Sequence, residues 1–189
     1  MYAGLDECGR GALAGPVVAA AVVWNPDVPP NGIKDSKKLS AKKRQELAKY
    51  IREHALDYAV SFVNSEVIDN KNILQATFDA MHDCVSQIEQ RNSNRLEHLF
   101  VDGNCFRPFT NIPHTCIVQG DNVRTDIAAA SILAKVSRDE HMDRLPMAVE
   151  YDFVHNKGYG TAKHLAAIQT HGLSSEHRRS FRLKNVYLQ

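Results

Sequence analysis

The sequence has only four cysteines, Cys8, Cys84, Cys105 and Cys116, and no two of them form a CxxC pair. Its nine histidines contain no HxH and no HExxH spacing. These absences exclude the common structural and catalytic zinc patterns. Nothing suggests secretion, so the thiols are expected to be reduced. An excess of one charge is missing too: 23 Lys and Arg stand against 22 Asp and Glu, for a net charge of +1. No global field therefore marks the chain for nucleic acid or a membrane surface. Long hydrophobic runs are also lacking, because residues 17–24 fall far short of the roughly 20 needed to span a bilayer. Met1 leads straight into a strand-like pattern, without the basic segment of a signal peptide. A cytoplasmic, soluble chain is expected, with no membrane partner.

What is present is ordinary in bulk and uneven in detail. At 189 residues, 43% hydrophobic and 24% charged, the chain suits one globular domain with an appendage. There is no repeat and no low-complexity linker. Residues 34–52 carry eight Lys and Arg against two acids, and residues 155–189 carry six against one, with four histidines besides. Either cluster alone would pass for a solvated face.

The apolar pattern predicts strands over residues 2–8, 17–24, 58–64, 98–102 and 115–118. Ser40 can cap a helix running to about His54. Leu74, Phe78, Met81, Val85 and Ile88 step by four, three, four and three, which predicts an amphipathic helix from Asn72 to about Gln90. Further helices are expected from Asp126 to about Leu145 and over 161–171. The small residues Ala128, Ala129, Ala130 and Ser131 allow the first of these to pack closely. Together these elements suggest an α/β domain with a mixed sheet over 1–145 and a helical extension over 146–189.

The opening stretch, GLDECGRGALAGPVVAAAVV, carries the chemistry. Gly9-Arg10-Gly11-Ala12-Leu13-Ala14 fits a dinucleotide fingerprint, which requires a helix to begin among its glycines. Pro16 followed by a valine-rich run predicts a second strand instead, so the nicotinamide reading fails. Adjacent carboxylates at a strand end suit Mg²⁺ or Mn²⁺, both of which favour oxygen ligands. Asp6 and Glu7 are followed by two more candidates: Asp102 closes the strand-like HLFVDG, and Asp121 sits in QGDN after TCIV. Neighbouring strand residues point to opposite faces, so Asp6 and Glu7 can serve one site only where the strand ends or bends.

Seven blocks, GLDECGRGALAGPVVAAAVV, DSKKLS, VDGN, QGD, IAAASILAKVSRD, HNKGYGT and HRRSF, resemble in order and over nearly the whole chain those of bacterial ribonuclease HII. The resemblance implies a ribonuclease H-like mixed sheet flanked by helices, with a small helical C-terminal extension. It implies a metal-dependent endonuclease that cleaves RNA in RNA/DNA hybrids. It further implies cutting 5′ of single ribonucleotides embedded in duplex DNA, leaving 5′-phosphate and 3′-hydroxyl ends. The family's four acids fall on Asp6, Glu7, Asp102 and Asp121, its junction-sensing motif on Gly9, Arg10 and Gly11, and its ribonucleotide-sensing tyrosine on Tyr159. Cys8 stands where Ala or Val is more frequent, and Gln119 where Lys is usual. Asp126, at the start of its helix, is a rival for the fourth acid, but its position suits the helix N-terminus.

Two divalent ions about 4 Å apart can activate water and stabilise the leaving oxygen of a phosphodiester. The expectation is that Asp6 bridges both, with Glu7, Asp102 and Asp121 at the sides. Gly9 and Gly11 allow backbone to approach a ribose 2′-hydroxyl, and Arg10 suits the neighbouring phosphate. Lys37, Lys38, Lys157, Arg178 and Arg179 are candidates for further phosphate contacts. The chain is expected to act as a monomer without an obligate protein partner.

Overall fold

A computed structural model of the chain describes residues 1–91 and 96–183; residues 184–189, which belong to the expected C-terminal extension, lie outside the described residues. Five strands, β1 (Tyr2–Cys8), β2 (Val17–Val23), β3 (Asp57–Val63), β4 (His98–Asp102) and β5 (His114–Ile117), form one sheet in the order β3-β2-β1-β4-β5. β2 pairs antiparallel with both β1 and β3, whereas β4 runs parallel to β1 and to β5. The sheet is therefore mixed, as the pattern predicts. β2 is buried along its whole length, which accounts for its unbroken apolar sequence.

Helices cover both faces. α1 (Ala41–His54) and α4 (Thr125–Arg144) pack with Val18, Ala20 and Val22 on one side. α3 (Ile73–Arg91) packs with Leu5, Ala19, Ala21 and Val101 on the other. The caps are local: the Ser40 hydroxyl accepts from the Lys43 N–H and opens α1. A short α2 (Ser65–Lys71), absent from the sequence expectation, is capped by Asn64 and buries only Ser65 and Ile68. One apolar anchor in two turns gives no period to detect.

The position of α4 on β1 sets the site. Gly4 faces the start of α4, and a Cβ built there would lie 2.3 Å from the Ile127 amide nitrogen. Two residues further along β1, Asp6 meets Ser131. Two further, Cys8 lies in the field of Lys135. Helix and strand advance together because two strand residues span ~6.6 Å and four helical residues ~6 Å. Glycine at position 4 is what brings the two axes close enough for that register.

α5 (Phe153–Asn156) and α6 (Ala162–His171) follow. Tyr151, Phe153 and Ile168 form an apolar cluster with Ala14 of the β1–β2 connection and Met142 of α4. The C-terminal stretch thus has its own apolar cluster, which docks on the sheet domain through Ala14 and Met142. At its centre His164 and His177, 0% and 2% exposed, hydrogen-bond through their Nε2 atoms at 3.0 Å.

Gly4→Ala is expected to destabilise the fold by about 1–3 kcal/mol or more through overpacking, measurable as a lower urea midpoint. Burial, and secondarily the neighbouring His164, lowers the His177 pKa from 6.5 to about 4. The folded protein then binds fewer protons than the unfolded chain between those values. The stability contributed by neutral His177 is complete above about pH 6.5 and is lost as pH falls towards 4. Urea midpoints measured across that range should drop more steeply for wild type than for His177→Gln.

Candidate active site

β1 and β4 are parallel and end side by side, with Leu5 opposite Val101. The next residues in register are Asp6 and Asp102, one place beyond a pair that faces α3, so both lie on the α4 side. The carboxyl ends of parallel strands are where open α/β sheets place their ligands. Asp6, Glu7, Asp102, Ser36, Lys37, Ser131, Lys135 and Tyr159 line one cleft of about 330 Å³ there. Glu7 points towards the opposite face, as alternation requires. It still reaches the cleft because β1 ends one residue later, and it also borders a smaller recess with Phe78 of α3. The difficulty posed by adjacent carboxylates is resolved by the strand end.

Each carboxylate is held by its own neighbourhood. Asp6 is buried and accepts the Glu7 N–H at 2.7 Å and a bond from the Ser131 hydroxyl. Ser131 in turn meets the Ser36 hydroxyl at 2.9 Å. Glu7 accepts from Arg10 at 3.3 Å. Asp102 accepts the Gly120 N–H at 2.7 Å, which ties β4 to the turn that carries Asp121. That turn begins at Gln119, whose backbone is left-handed (φ 56°, ψ 40°), a conformation that non-glycine residues seldom adopt. The buried Asp121 lies against Asp35 as well as near Asp102.

The electrostatics follow from this crowding. Burial, then the charges of Glu7 and Asp102, pushes the Asp6 pKa well above the ordinary carboxylate range. Burial raises Glu7 too, although Arg10 offsets part of the effect. Asp121 is raised by burial and by Asp35 and Asp102. Such a set of hard oxygen donors fits a divalent cation, which would offset both the repulsion and the desolvation. Among the described residues, no three acidic, His or Cys side chains are drawn in to ligand distance of one point. Asp126 is not part of this group. Its carboxylate accepts two bonds from Arg124, at 3.0 and 2.7 Å, and the Ile127 N–H at 2.9 Å.

The Gly-Arg-Gly loop and the Tyr159 loop, far apart in sequence, are bonded to each other. Leu13 and Ala14 donate to the Gly158 carbonyl at 2.8 and 3.2 Å, and Arg178 donates its backbone N–H to Leu13 at 2.9 Å. Tyr159, 37% exposed, borders the cleft beside Cys8. Beneath both loops lie two arginines that bond only to carbonyl oxygens. Arg138, 0% exposed, donates to Ala14, Pro16 and Lys157. Arg178, 2% exposed, donates to Arg10 and twice to Gly15.

The basic residues therefore divide. Lys37, Lys38 and Arg179 are exposed. Lys157 is half-buried and paired with Asp143. Arg178 corrects the sequence expectation: it is a buried strut, and its guanidinium is engaged by carbonyls rather than open to a phosphate. Burial and the nearby Arg138 lower its pKa to about 9, so it still carries its charge at neutral pH. Sequence reasoning also missed Arg138, Ser131, Lys135 and Asp35. Only the i, i+4 spacing of Ser131 and Lys135 on the small-residue helix could have pointed to a polar stripe.

Among solved structures, the ribonuclease HII of the PCNA:RNase HII complex from Archaeoglobus fulgidus superposes with a TM-score of 0.75 at 28% identity, over 95% of this chain and 92% of that one. Bst ribonuclease HIII, solved with Mn²⁺, gives 0.72 at 20% identity, over 95% of this chain and 66% of that one. The fold is that of ribonucleases H. A family model for ribonuclease HII matches residues 3–184, and the ribonuclease HII of Cytophaga hutchinsonii is 50% identical over 183 residues, 96% of this chain and 89% of that protein. The chain belongs to the ribonuclease HII family and is a hydrolytic endoribonuclease of the ribonuclease H type.

Replacing Asp6 with Asn should stabilise the cation-free protein while abolishing cleavage. The folded state holds the Asp6 proton more tightly than the unfolded chain does, so the penalty grows as pH rises through the raised pKa. A relief of about 1 kcal/mol would raise Tm by ~2–4 °C for a chain of this size. A thermal melt at pH 8 in chelator measures it.

Proposed function

We propose that this cleft cuts RNA within RNA/DNA hybrids and on the 5′ side of single ribonucleotides embedded in duplex DNA, leaving 5′-phosphate and 3′-hydroxyl ends. The observation that carries the reading is that Asp6, Glu7 and Asp102 line one cleft with Gly9, at the start of the Gly-Arg-Gly loop, and with Tyr159, while the connection that follows that loop is bonded to Gly158. A nuclease indifferent to sugar has no use for that loop and Tyr159.

Asp6, Glu7, Asp102 and Asp121 would hold divalent metal, Mg²⁺ or Mn²⁺, which when bound activates water and stabilises the leaving oxygen. Bst ribonuclease HIII, a protein of the same fold, is solved in complex with Mn²⁺, which supports a divalent metal here. The chain's own groups do the positioning. Gly9 needs its missing Cβ for structural reasons: its φ is +93°, and a Cβ there would strike Arg138 at 2.1 Å. Gly11 has no such need, since nothing lies within 4 Å of a Cβ built on it. Its bare backbone is therefore best read as room for the ribose, whose 2′-hydroxyl distinguishes RNA.

Arg10 extends from between these glycines and pairs with a flanking phosphate. Tyr159 presents its ring and hydroxyl to the ribonucleotide. Lys37, Lys38, Lys157 and Arg179 hold the duplex by its phosphates, which positions it without reading sequence. The buried charges of Arg138 and Arg178 lie under the same loops and add to the positive field there. The residues after 146 thus take part in substrate binding through Tyr159, Lys157 and Arg179.

A labelled DNA duplex with one ribonucleotide, an RNA/DNA hybrid and an all-DNA duplex, each with Mg²⁺, Mn²⁺ or chelator, test this. Expected are metal-dependent cleavage of the first two, cutting 5′ of the lone ribonucleotide, no cleavage of all-DNA, and loss of activity by about 10²-fold or more in Asp102→Asn. Binding without cleavage under either metal would overturn the assigned roles of the four acids.

A further inference from the structure

The hydrogen bonds around the buried histidine pair leave no freedom in where its protons sit. His164 Nδ1 lies 2.9 Å from the Tyr159 carbonyl, which can only accept, so that nitrogen carries a proton. His177 Nδ1 lies 3.0 Å from the Ser174 backbone N–H, which can only donate, so that nitrogen is bare, and the Ser174 hydroxyl 2.8 Å away then acts as a second donor to it. The remaining contact, Nε2 to Nε2 at 3.0 Å, then runs from His177 as donor to His164 as acceptor. A proton added to either ring would turn two N–H groups towards each other or towards the Ser174 amide. The pair is a one-way chain of neutral imidazoles from Ser174 to Tyr159.

Its end point matters. The Tyr159 carbonyl also accepts the Thr161 N–H at 2.8 Å, and the Tyr159 N–H donates to Asn156 at 2.9 Å. Arg138 stands over the ring, its guanidinium carbon 5.5 Å from the centroid. The peptide after Tyr159 is thus clamped from the buried side while the ring faces the cleft. Both histidines are wedged by aromatic rings: Tyr151 is 4.9 Å from His177, and Phe153 is edge-on to His164 at 5.2 Å.

We propose that His164 and His177 are positioning residues for the reaction, a neutral two-imidazole relay that fixes the Tyr159 peptide and so the aim of the Tyr159 ring at the ribonucleotide. Neither touches substrate. The proposal rests on the reading of Tyr159 given above and adds that its precision comes from two histidines buried in the C-terminal stretch.

The test uses the full chain and a DNA duplex with one ribonucleotide, with kcat and KM measured for wild type, His164→Leu, His164→Asn, Tyr159→Ala and the Tyr159→Ala/His164→Leu double variant. Leucine removes the bond to Tyr159; asparagine offers an amide N–H near the place of Nδ1. His164→Leu should lower kcat/KM by about 10- to 100-fold, as small misplacements of a positioning group do. His164→Asn should recover most of that loss. In the Tyr159→Ala background His164→Leu should cost less than ~2-fold further, because both changes act through one group. Fully multiplying effects, or an asparagine variant no better than leucine at equal Tm, would overturn the relay. If Tyr159→Ala alone cuts like wild type, the reading of Tyr159 fails first and takes the relay's role with it. A long-range ¹H–¹⁵N spectrum of the wild-type protein near pH 7 adds a check that needs no variant. It should show His164 protonated on Nδ1 and His177 on Nε2, and a His177 proton on Nδ1 would overturn the relay outright.

Discussion

The register of α4 along β1 is the constraint on which the rest of the structure depends. Gly4, Asp6, Cys8 and Gly9 meet Ile127, Ser131, Lys135 and Arg138 in turn. Each step is a different kind of contact: close backbone approach, a hydroxyl to a carboxylate, a charge near a thiol, and a guanidinium under a turn. Shift the helix by one turn and all four are lost together. A helix dominated by small buried residues tolerates that closeness, and Ala128, Ala129 and Ala130 supply them.

The clustered carboxylates Asp6, Glu7, Asp102 and Asp121 are costly in isolation. Buried and near one another, they oppose the fold until something positive joins them. The protein meets this with neighbours rather than with direct ion pairs to all four. Asp6 has a serine and a backbone amide, Asp102 has the Gly120 amide, and Glu7 alone has an arginine. Dipoles orient the acids and leave most of their charge uncompensated, which fits the cation-binding role proposed for them.

The sequence made the frame legible where one residue type had one plausible job. Ser40 capping α1, the four-three step of α3 and the strand-end placement of Asp102 needed only local rules. The arginines did not yield to such rules. Nothing in HRRSF distinguishes Arg178, sunk among carbonyls, from Arg179 on the surface, because the difference lies in residues 10 and 15, far away in sequence. His164 and His177 were hidden for the same reason: a histidine's proton is set by what each nitrogen faces. The space available at Gly4 and Gly11 is likewise a property of distant atoms.

The struts that hold the Gly-Arg-Gly loop also set an order of events. Arg178 reaches the carbonyls of Gly15 and Arg10, and the Arg10 contact joins residues 168 positions apart. Residues 9–11 are synthesised long before the residue that braces them. A nascent chain can form the β1–β2 hairpin early, but its loop is not braced on this side until residue 178 has been made. The acids of a chain not yet extended to residue 178 therefore stand beside a Gly-Arg-Gly loop that lacks this brace.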